Sequence, residues 1–294
     1  MPSRPPVRAV LFDFFGTLVT YEPDRLNLDY AKTALLLHRW GYGNACERFA
    51  EVWNAVLRTL ELTTSGSLEE FSMLDVVLAY DETEQLGLDA DRRTELLDSF
   101  MAEWRVGVRP IRGVKEMLAE LSGRVHLGIV SNTHQPALVP SLVDEFGLGA
   151  VFDPTVLSIV HGHRKPHATI YDAALEGLRR RVAATASPAD RLRAATSQPD
   201  AAQPELLRAE HQLATPPRAD SARPCVPSDS VRSEPSLLDP TEVMFVGDSY
   251  DPDYVGPRAA GFQARLVDPH HRFDLPSRHR LHNILELVAV IDTV

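Results

Sequence analysis

The sequence predicts an α/β fold with a doubly wound, mostly parallel sheet, a helical subdomain and a long disordered insertion. Outside the insertion, short apolar runs alternate with segments of helical periodicity, which is typical of a parallel sheet with helices on both faces. Between the first and second runs the apolar residues follow helical spacing only, which indicates a helical subdomain inserted after the first strand.

Four apolar runs predict the strands of the sheet. Three are continuous and are followed by polar residues, as expected for strands buried on both faces, and the fourth is weaker. The predicted strands are Val7–Phe12, Val125–Val130, Val243–Val246 and Gln263–Val267. The predicted helices between them are Val114–Leu121, Ala137–Phe146, Ile170–Leu178 and Tyr254–Ala260.

The helical subdomain is predicted at residues 21–108, and the α/β core is then expected to comprise residues 1–20 and 109–294. Apolar residues recur at the spacing of one helix face in four of its segments. These segments are Leu28–Arg39, Ala45–Leu60, Leu68–Leu78 and Arg92–Trp104.

A low-complexity segment divides the core. From Arg179 to Pro240 the chain has no glycine and no phenylalanine, tyrosine or tryptophan, but it has nine of the 22 prolines. Such a segment cannot bury enough apolar surface to offset the entropy lost on ordering. We therefore predict a mostly disordered insertion at 179–240, with a short helix near Pro204–Leu213. Whether it binds an unknown partner stays open.

The composition excludes several classes of protein. The net charge is −11, whereas a nucleic-acid-binding protein needs a basic face to neutralise phosphates. No apolar run reaches the ~18 residues that a membrane span requires. The first ten residues lack the apolar segment of a signal peptide, and Cys46 and Cys225 are too few for a disulfide framework. We therefore expect a cytoplasmic protein that binds neither nucleic acid nor a membrane.

Polar clusters follow the predicted strands, where an open α/β sheet binds its ligands. Asp13 begins the first cluster, and it can attack an electrophile covalently. Asp13 and Asp248 together offer the hard oxygen ligands that Mg²⁺ prefers. The clusters are DFFGT at 13–17, SNT at 131–133, HGHRKP at 161–166 and GDSYDPD at 247–253.

Other members of the clusters suit an anionic substrate. Gly16 permits a close approach of the backbone, so that amide N–H groups can hold anionic oxygens. Ser131, Asn132 and Lys165 would add hydrogen-bond donors and a positive charge. The set indicates a metal-assisted displacement at an anionic centre.

These four clusters, in this order, resemble the motifs of the haloacid dehalogenase-like (HAD) hydrolase superfamily. The resemblance implies a Rossmann-like core with a helical cap, and Mg²⁺ as cofactor. The implied catalytic residues are Asp13 as nucleophile, Lys165 and Ser131. The implied substrate contacts are Gly16, Thr17 and Asn132, and the implied metal ligands are Asp13, the Phe15 carbonyl and Asp248. Asp253 is implied as a supporting carboxylate that orients Lys165 or reaches the metal through water.

One position departs from the phosphatase pattern of this superfamily. The usual first motif has a second aspartate two residues after the nucleophile, which protonates the leaving alcohol, but here that position is Phe15. Loss of general acid catalysis costs about 10²–10⁴-fold for a poor leaving group. A phosphatase would need a leaving group that departs easily or another proton donor, for which His134, Glu22 and Asp24 are candidates.

A dehalogenase and a binding protein are the alternatives to a phosphatase. The dehalogenases of the superfamily have an aromatic residue at the position of Phe15, and halide leaves without a proton. A binding protein that has lost catalysis would sense a phosphorylated ligand. The pair Gly247-Asp248 favours metal-dependent phosphate chemistry, because dehalogenases of this type need no metal and lack it. We therefore predict a Mg²⁺-dependent phosphatase acting on a small phosphorylated metabolite, with a halogenated metabolite as the alternative substrate.

Overall fold

The computed structural model describes residues 5–20, 30–149, 151–186 and 238–292. Six parallel strands form one sheet flanked by helices, which confirms the Rossmann-like α/β fold. In chain order these strands are β1 (Ala9–Phe12), β4 (His126–Ser131), β5 (Phe152–Leu157), β6 (Val243–Gly247), β7 (Gln263–Val267) and β8 (Arg280–Leu281), and the short strands β2 (Val19–Thr20) and β3 (Arg109–Pro110) pair antiparallel beside them. The order across the main sheet is β5–β4–β1–β6–β7–β8.

Five helices follow the first strands in the chain, and the others surround the main sheet. Helices α1–α5 are Ala31–Arg39, Gly43–Glu47, Phe49–Thr63, Met73–Glu84 and Ala90–Trp104. Helices α6–α11 are Val114–Ser122, Leu138–Glu145, Ser158–His161, Ala168–Thr185, Gly256–Ala259 and Leu287–Asp292. A π-helical turn at Tyr250–Val255 leads into α10, and 3₁₀ turns lie at Pro240–Glu242, Ser277–His279 and Ile284–Glu286.

The central strand β1 is buried on both faces of the sheet. Val10 and Phe12 pack into a cluster with side chains of α6, α7 and α11. Ala9 and Leu11 pack on the opposite face, against α9. Successive side chains of a strand alternate between faces, so a continuous apolar run is what a strand between two helical layers requires.

The segment 30–108, which we call the helical region, has an apolar core of its own. The Trp53 ring lies 4.3 Å from the Phe100 ring and 5.2 Å from the Phe49 ring, measured between centroids, and Tyr80 completes the group. Aromatic pairs at such distances add about 0.5–1.5 kcal/mol each to the gain from burial. The exact domain limits of 21–108 and 109–294 stay predictions.

Two strands of the sheet were not predicted. Strand β5 contains Pro154, which interrupts its apolar pattern and is tolerated because β5 lies at an edge of the sheet. Strand β8 has only two residues, too few for a periodic signal. The segment Ala45–Leu60 was expected to be one helix, but the chain breaks at Arg48 into α2 and α3.

The predicted insertion begins too early in the chain. Helix α9 continues through Arg179 to Thr185, and Val182 packs into the core, so the predicted boundary at 179 is wrong. Leu238 is also buried, just before the 3₁₀ turn that leads into β6. The remainder of the insertion, with the helix predicted near residues 204–213, lies outside the described residues. In the part that is described, no helix combines the length and the apolar character needed to cross a bilayer.

Candidate active site

The carboxyl ends of the central strands bring the predicted site residues to one edge of the sheet. Asp13 directly follows β1, and its N–H donates to the Val246 carbonyl of the neighbouring β6 at 2.9 Å. Ser131 is the last residue of β4 and is fully buried, and Gly247 ends β6. The backbone ladder therefore places the first, second and fourth polar clusters side by side.

Lys165 joins the third cluster to the others. Its Nζ donates to Asp13 Oδ1 at 2.8 Å and to Asp253 Oδ1 at 2.7 Å, and all three residues are buried. The Ser249 N–H donates to the second oxygen of Asp253 at 2.9 Å. Burial lowers the pKa of Lys165, but the charges and hydrogen bonds of the two aspartates outweigh it and raise that pKa, so the lysine is an ammonium ion. Asp253 thus contacts the Lys165 ammonium directly, and its supporting role in the site stays a prediction.

Asn132 holds the backbone of Lys165. The Lys165 N–H donates to Asn132 Oδ1 at 2.8 Å, and Asn132 Nδ2 donates to the Lys165 carbonyl at 3.1 Å. The Ser131 hydroxyl contacts the Asn132 carbonyl at 3.4 Å. The contacts of Ser131 and Asn132 with a substrate stay predictions.

Two glycines allow carboxylates to approach the backbone closely. Gly16 has a φ of +88°, and a Cβ there would lie 2.6 Å from Asp248 Oδ2. At Gly247 a Cβ would lie 2.3 Å from Asp253 Cγ. The N–H of Gly16 donates to the Val19 carbonyl at 2.7 Å, so its part in the site is to leave room for Asp248.

The remaining residues of the first motif surround Asp13. The Thr17 hydroxyl is buried and donates to Asp13 Oδ2 at 3.2 Å, so it contacts the predicted nucleophile. The Phe15 ring packs edge-on against Phe14 and Trp104, with centroids 5.0 and 5.5 Å away. The Phe15 carbonyl as a metal ligand stays a prediction.

Three carboxylates converge beside the lysine. Asp13, Asp248 and Asp253 each place one oxygen within 4.8 Å of the others, and no other trio of metal-ligating side chains among the described residues does so. Burial, with the charges of Asp253 and Asp248, raises the pKa of Asp13 to about 7 although Lys165 opposes the shift. Burial and the Asp253 charge also raise the pKa of Asp248. Three carboxylates against one ammonium leave an excess of negative charge, so these hard oxygen donors fit Mg²⁺.

A cavity of about 800 Å³ separates the helical region from this edge of the sheet. Its wall includes the aromatic rings of Phe15, Trp53, Phe100 and Trp104, and His134 is among its polar residues. The predicted proton-donor candidates Glu22 and Asp24 lie outside the described residues. The wall includes Phe15 of the first motif and Asn132 of the second, so the cavity adjoins the site.

Sequence reasoning missed Glu70, which joins the helical region to the core. Residues 68–78 were expected to form one helix, but α4 begins only at Met73, and the preceding segment lies along the core. The Glu70 N–H donates to the Gly162 carbonyl at 2.9 Å, and the Met73 N–H donates to the His134 carbonyl at 2.9 Å. The Glu70 side chain is 1% exposed and accepts from Ser158 Oγ at 2.5 Å. Its partners are distant in sequence, so no local pattern could have indicated them.

The fold and the site are those of an α/β protein with a carboxylate–lysine cluster at the carboxyl edge of its sheet. A family model described as haloacid dehalogenase-like hydrolase matches residues 7–186. The match covers more than half of the chain, so the chain belongs to this family, and the resemblance inferred from the motifs is confirmed. No significant match was found among curated proteins.

Solved structures with the same fold include enzymes of different activities. A 2-haloacid dehalogenase from Pseudomonas syringae pv. Tomato is 18% identical, with 98% of this chain and 99% of that chain covered and a TM-score of 0.57. A HAD phosphatase from Thermococcus onnurineus is 18% identical, with 97% and 98% covered and a TM-score of 0.54. The HAD-hydrolase YfnB from Bacillus subtilis, bound to magnesium, is 15% identical, with 98% and 100% covered and a TM-score of 0.52. At these identities the likeness shows the fold.

Proposed function

We propose that this hydrolase is a Mg²⁺-dependent phosphatase of a small phosphorylated metabolite and acts through an aspartyl-phosphate on Asp13. The observation that supports this best is the convergence of Asp13, Asp248 and Asp253 within 4.8 Å beside the Lys165 ammonium. A carboxylate at Asp248 would repel a carboxylate or phosphate substrate unless a cation offsets its charge. Position 16 has to be a glycine for this carboxylate to lie where it does, because a Cβ there would collide with Asp248.

In this proposal Asp13 attacks phosphorus, the ester P–O bond breaks, and water then hydrolyses the aspartyl-phosphate. Lys165, already 2.8 Å from Asp13, stabilises the charge on the transferring group, and Thr17 holds the other Asp13 oxygen. Mg²⁺, when bound by Asp13, Asp248 and the Phe15 carbonyl, would offset the repulsion between the carboxylate and the phosphate. Asp253 keeps the lysine charged and oriented.

A second candidate function is 2-haloacid dehalogenation, which Phe15 favours. A halide leaves without a proton, so an aromatic ring at this position is no obstacle to that reaction. The aromatic wall formed by Phe15, Trp53, Phe100 and Trp104 would also suit an apolar carbon chain. The carboxylate of Asp248 argues against it, because the dehalogenases of the superfamily need no metal, and without a cation this charge would repel an anionic 2-haloacid.

One purified sample distinguishes the two functions. Phosphate release from a panel of phosphate monoesters and halide release from 2-chloropropionate are measured with Mg²⁺ and with chelator. We expect phosphate release that needs Mg²⁺, its loss in Asp13→Asn, and weaker Mg²⁺ binding in Asp248→Asn by titration calorimetry. Asp251→Asn is the matched control, because Asp251 is an exposed acid in the same motif.

Halide release that persists in chelator would overturn the phosphatase proposal in favour of the dehalogenase. Tight binding of a phosphorylated ligand without turnover in either assay would instead indicate a binding protein that has lost catalysis. Unchanged Mg²⁺ affinity in Asp248→Asn would remove that residue from the metal site.

A further inference from the structure

We infer that His134, held by Glu70, supplies the proton for the leaving group that Phe15 cannot supply. The inference rests on the proposed phosphatase function and assigns a general acid to the same site. The step it explains is the breaking of the ester P–O bond, which for an alkyl phosphate needs a proton on the departing oxygen.

The first support is the position of His134. His134 lies two residues after Asn132, the residue that holds the Lys165 backbone, and both His134 and Asn132 line the cavity whose wall includes Phe15. His134 is the only histidine in the described part of that wall. In the inferred arrangement the leaving group of a substrate whose phosphate is bound at Asp13 occupies this cavity, where His134 would protonate it.

The second support is the arrangement of the imidazole. Nδ1 lies 3.0 Å from Glu70 Oε1 and 3.0 Å from the Phe71 carbonyl, and both are acceptors, so Nδ1 carries a proton. The ring stacks on Phe71 with centroids 4.3 Å apart. With Nδ1 engaged, Nε2 is the nitrogen left for the substrate, and it has no hydrogen-bond partner in the described part of the chain. A carboxylate behind one imidazole nitrogen fixes the ring and stabilises its cation.

The third support is the charge around the ring. The acidic groups acting on it are Glu70, from the segment before α4, and Glu61 of α3. Arg58 of α3 lines the same cavity, and Arg164 lies 3.7 Å from Glu70. Burial lowers the pKa of His134, but the hydrogen bond and charge of Glu70 outweigh burial and raise that pKa. The raised pKa favours the imidazolium, the form that can donate a proton.

The proton transfers balance over the two steps. As Asp13 attacks phosphorus and the P–O bond breaks, the leaving oxygen takes the Nε2 proton and departs as the alcohol. The neutral imidazole then takes a proton from the water that attacks the aspartyl-phosphate. Free phosphate and Asp13 are released, and the imidazolium is restored. Glu70 is a positioning residue in this scheme and exchanges no proton.

The test compares two substrates whose leaving groups differ in their need for a proton. We expect His134→Gln to lower kcat/KM, which reports the steps through release of the leaving group, by about 10²-fold or more for propyl phosphate, the cost of a lost general acid. Its kcat/KM for 4-nitrophenyl phosphate should change by less than about fivefold, because nitrophenolate leaves without a proton. His38→Gln, an exposed histidine of α1, is the control and should behave as the unaltered protein.

A pH profile gives a readout that a merely structural role would not change. In the unaltered protein kcat/KM for propyl phosphate should fall on the alkaline side, and kcat/KM for 4-nitrophenyl phosphate should not. Glu70→Gln should move that alkaline limb to lower pH, since it removes the charge that raises the His134 pKa. This variant also tests the inference if His134→Gln does not fold.

Equal losses on the two substrates, or an alkaline limb that Glu70→Gln does not move, would overturn the inference and leave the phosphatase proposal intact. Failure of the unaltered protein to release phosphate from 4-nitrophenyl phosphate with Mg²⁺ would overturn the proposed function, and this inference with it.

Discussion

The Ser158 hydroxyl donates to Glu70 Oε2 at 2.5 Å and accepts from the Thr133 N–H at 2.8 Å. A carboxylate of the helical region is thereby linked through one hydroxyl to the backbone next to Asn132. Asn132 in turn holds the backbone of Lys165, whose Nζ contacts Asp13. The position of the helical region and the geometry of the site are therefore coupled by a short chain of hydrogen bonds.

Removing the Glu70 carboxylate should destabilise the fold. Glu70→Ala removes the charged acceptor of the buried Ser158 hydroxyl, which keeps only the Thr133 carbonyl at 3.2 Å. A hydrogen bond to a charged group contributes about 1.5–3 kcal/mol. We expect a loss of that size in the free energy of unfolding, measured by urea denaturation. Glu69→Ala is the matched control, because Glu69 is exposed and should change the value by less than about 0.5 kcal/mol. Equal losses in both variants would show that Glu70 adds nothing specific.

The stabilising effect of the Glu70–His134 pair should depend on pH in both directions. Burial raises the pKa of Glu70, but its hydrogen bonds to His134 and Ser158 outweigh burial and lower that pKa below its ordinary value of 4.5. Its contribution is therefore present above pH 4.5 and is lost as the pH falls through the lowered value. The pKa of His134 is raised above 6.5, so its contribution is present below pH 6.5 and is lost as the pH rises through the raised value.

The pair should thus stabilise the protein most between about pH 4.5 and 6.5, where both contributions are complete. Urea unfolding of the unaltered protein and of Glu70→Gln at several pH values measures this. We expect the difference in unfolding free energy to be largest in that window and to shrink on either side. A difference that is flat across pH would contradict an ion pair.

A methyl group at Gly16 should disrupt the carboxylate cluster. In Gly16→Ala the Cβ would lie 2.6 Å from Asp248 Oδ2, so Asp248 must move. We expect Mg²⁺ affinity to fall by at least about tenfold, measured by titration calorimetry. Gly41→Ala separates this effect from backbone strain, because Gly41 has a φ of +91° but nothing within 4 Å of the added Cβ. Similar Mg²⁺ affinity in both variants would contradict a role for the Gly16–Asp248 approach.

A carboxylate restored at position 15 should substitute for His134. Phe15→Asp puts an acid at the usual position of the first motif, so in the His134→Gln background it should raise kcat for propyl phosphate by about tenfold or more. In the unaltered background the gain should be small, because a donor is already present. Phe15→Asn in the same background is the control that changes polarity without adding an acid. A large gain in the unaltered background would show that protonation limits turnover despite His134.

Much of the fold could be predicted because local patterns carry it. The continuous apolar run of β1 indicates a strand buried on both faces. The polar residues after each strand lie at the carboxyl edge, where a parallel sheet binds its ligands. The edge strand β5 was missed because Pro154 breaks its pattern. The prediction ended helix α9 before Arg179, because the low-complexity composition begins there. The helix itself continues to Thr185 and still packs on the core.

By itself, the sequence determined the family, the α/β class, and which residues of the four motifs meet. Those assignments depend on residue type and chain order, which the sheet translates directly into position. Only the tertiary structure shows that Asn132 forms hydrogen bonds with the Lys165 backbone, that Gly16 leaves room for Asp248, and that Glu70 contacts His134. Each of these contacts joins segments far apart in the chain, so it depends on how layers pack, and no periodicity or motif spacing encodes it.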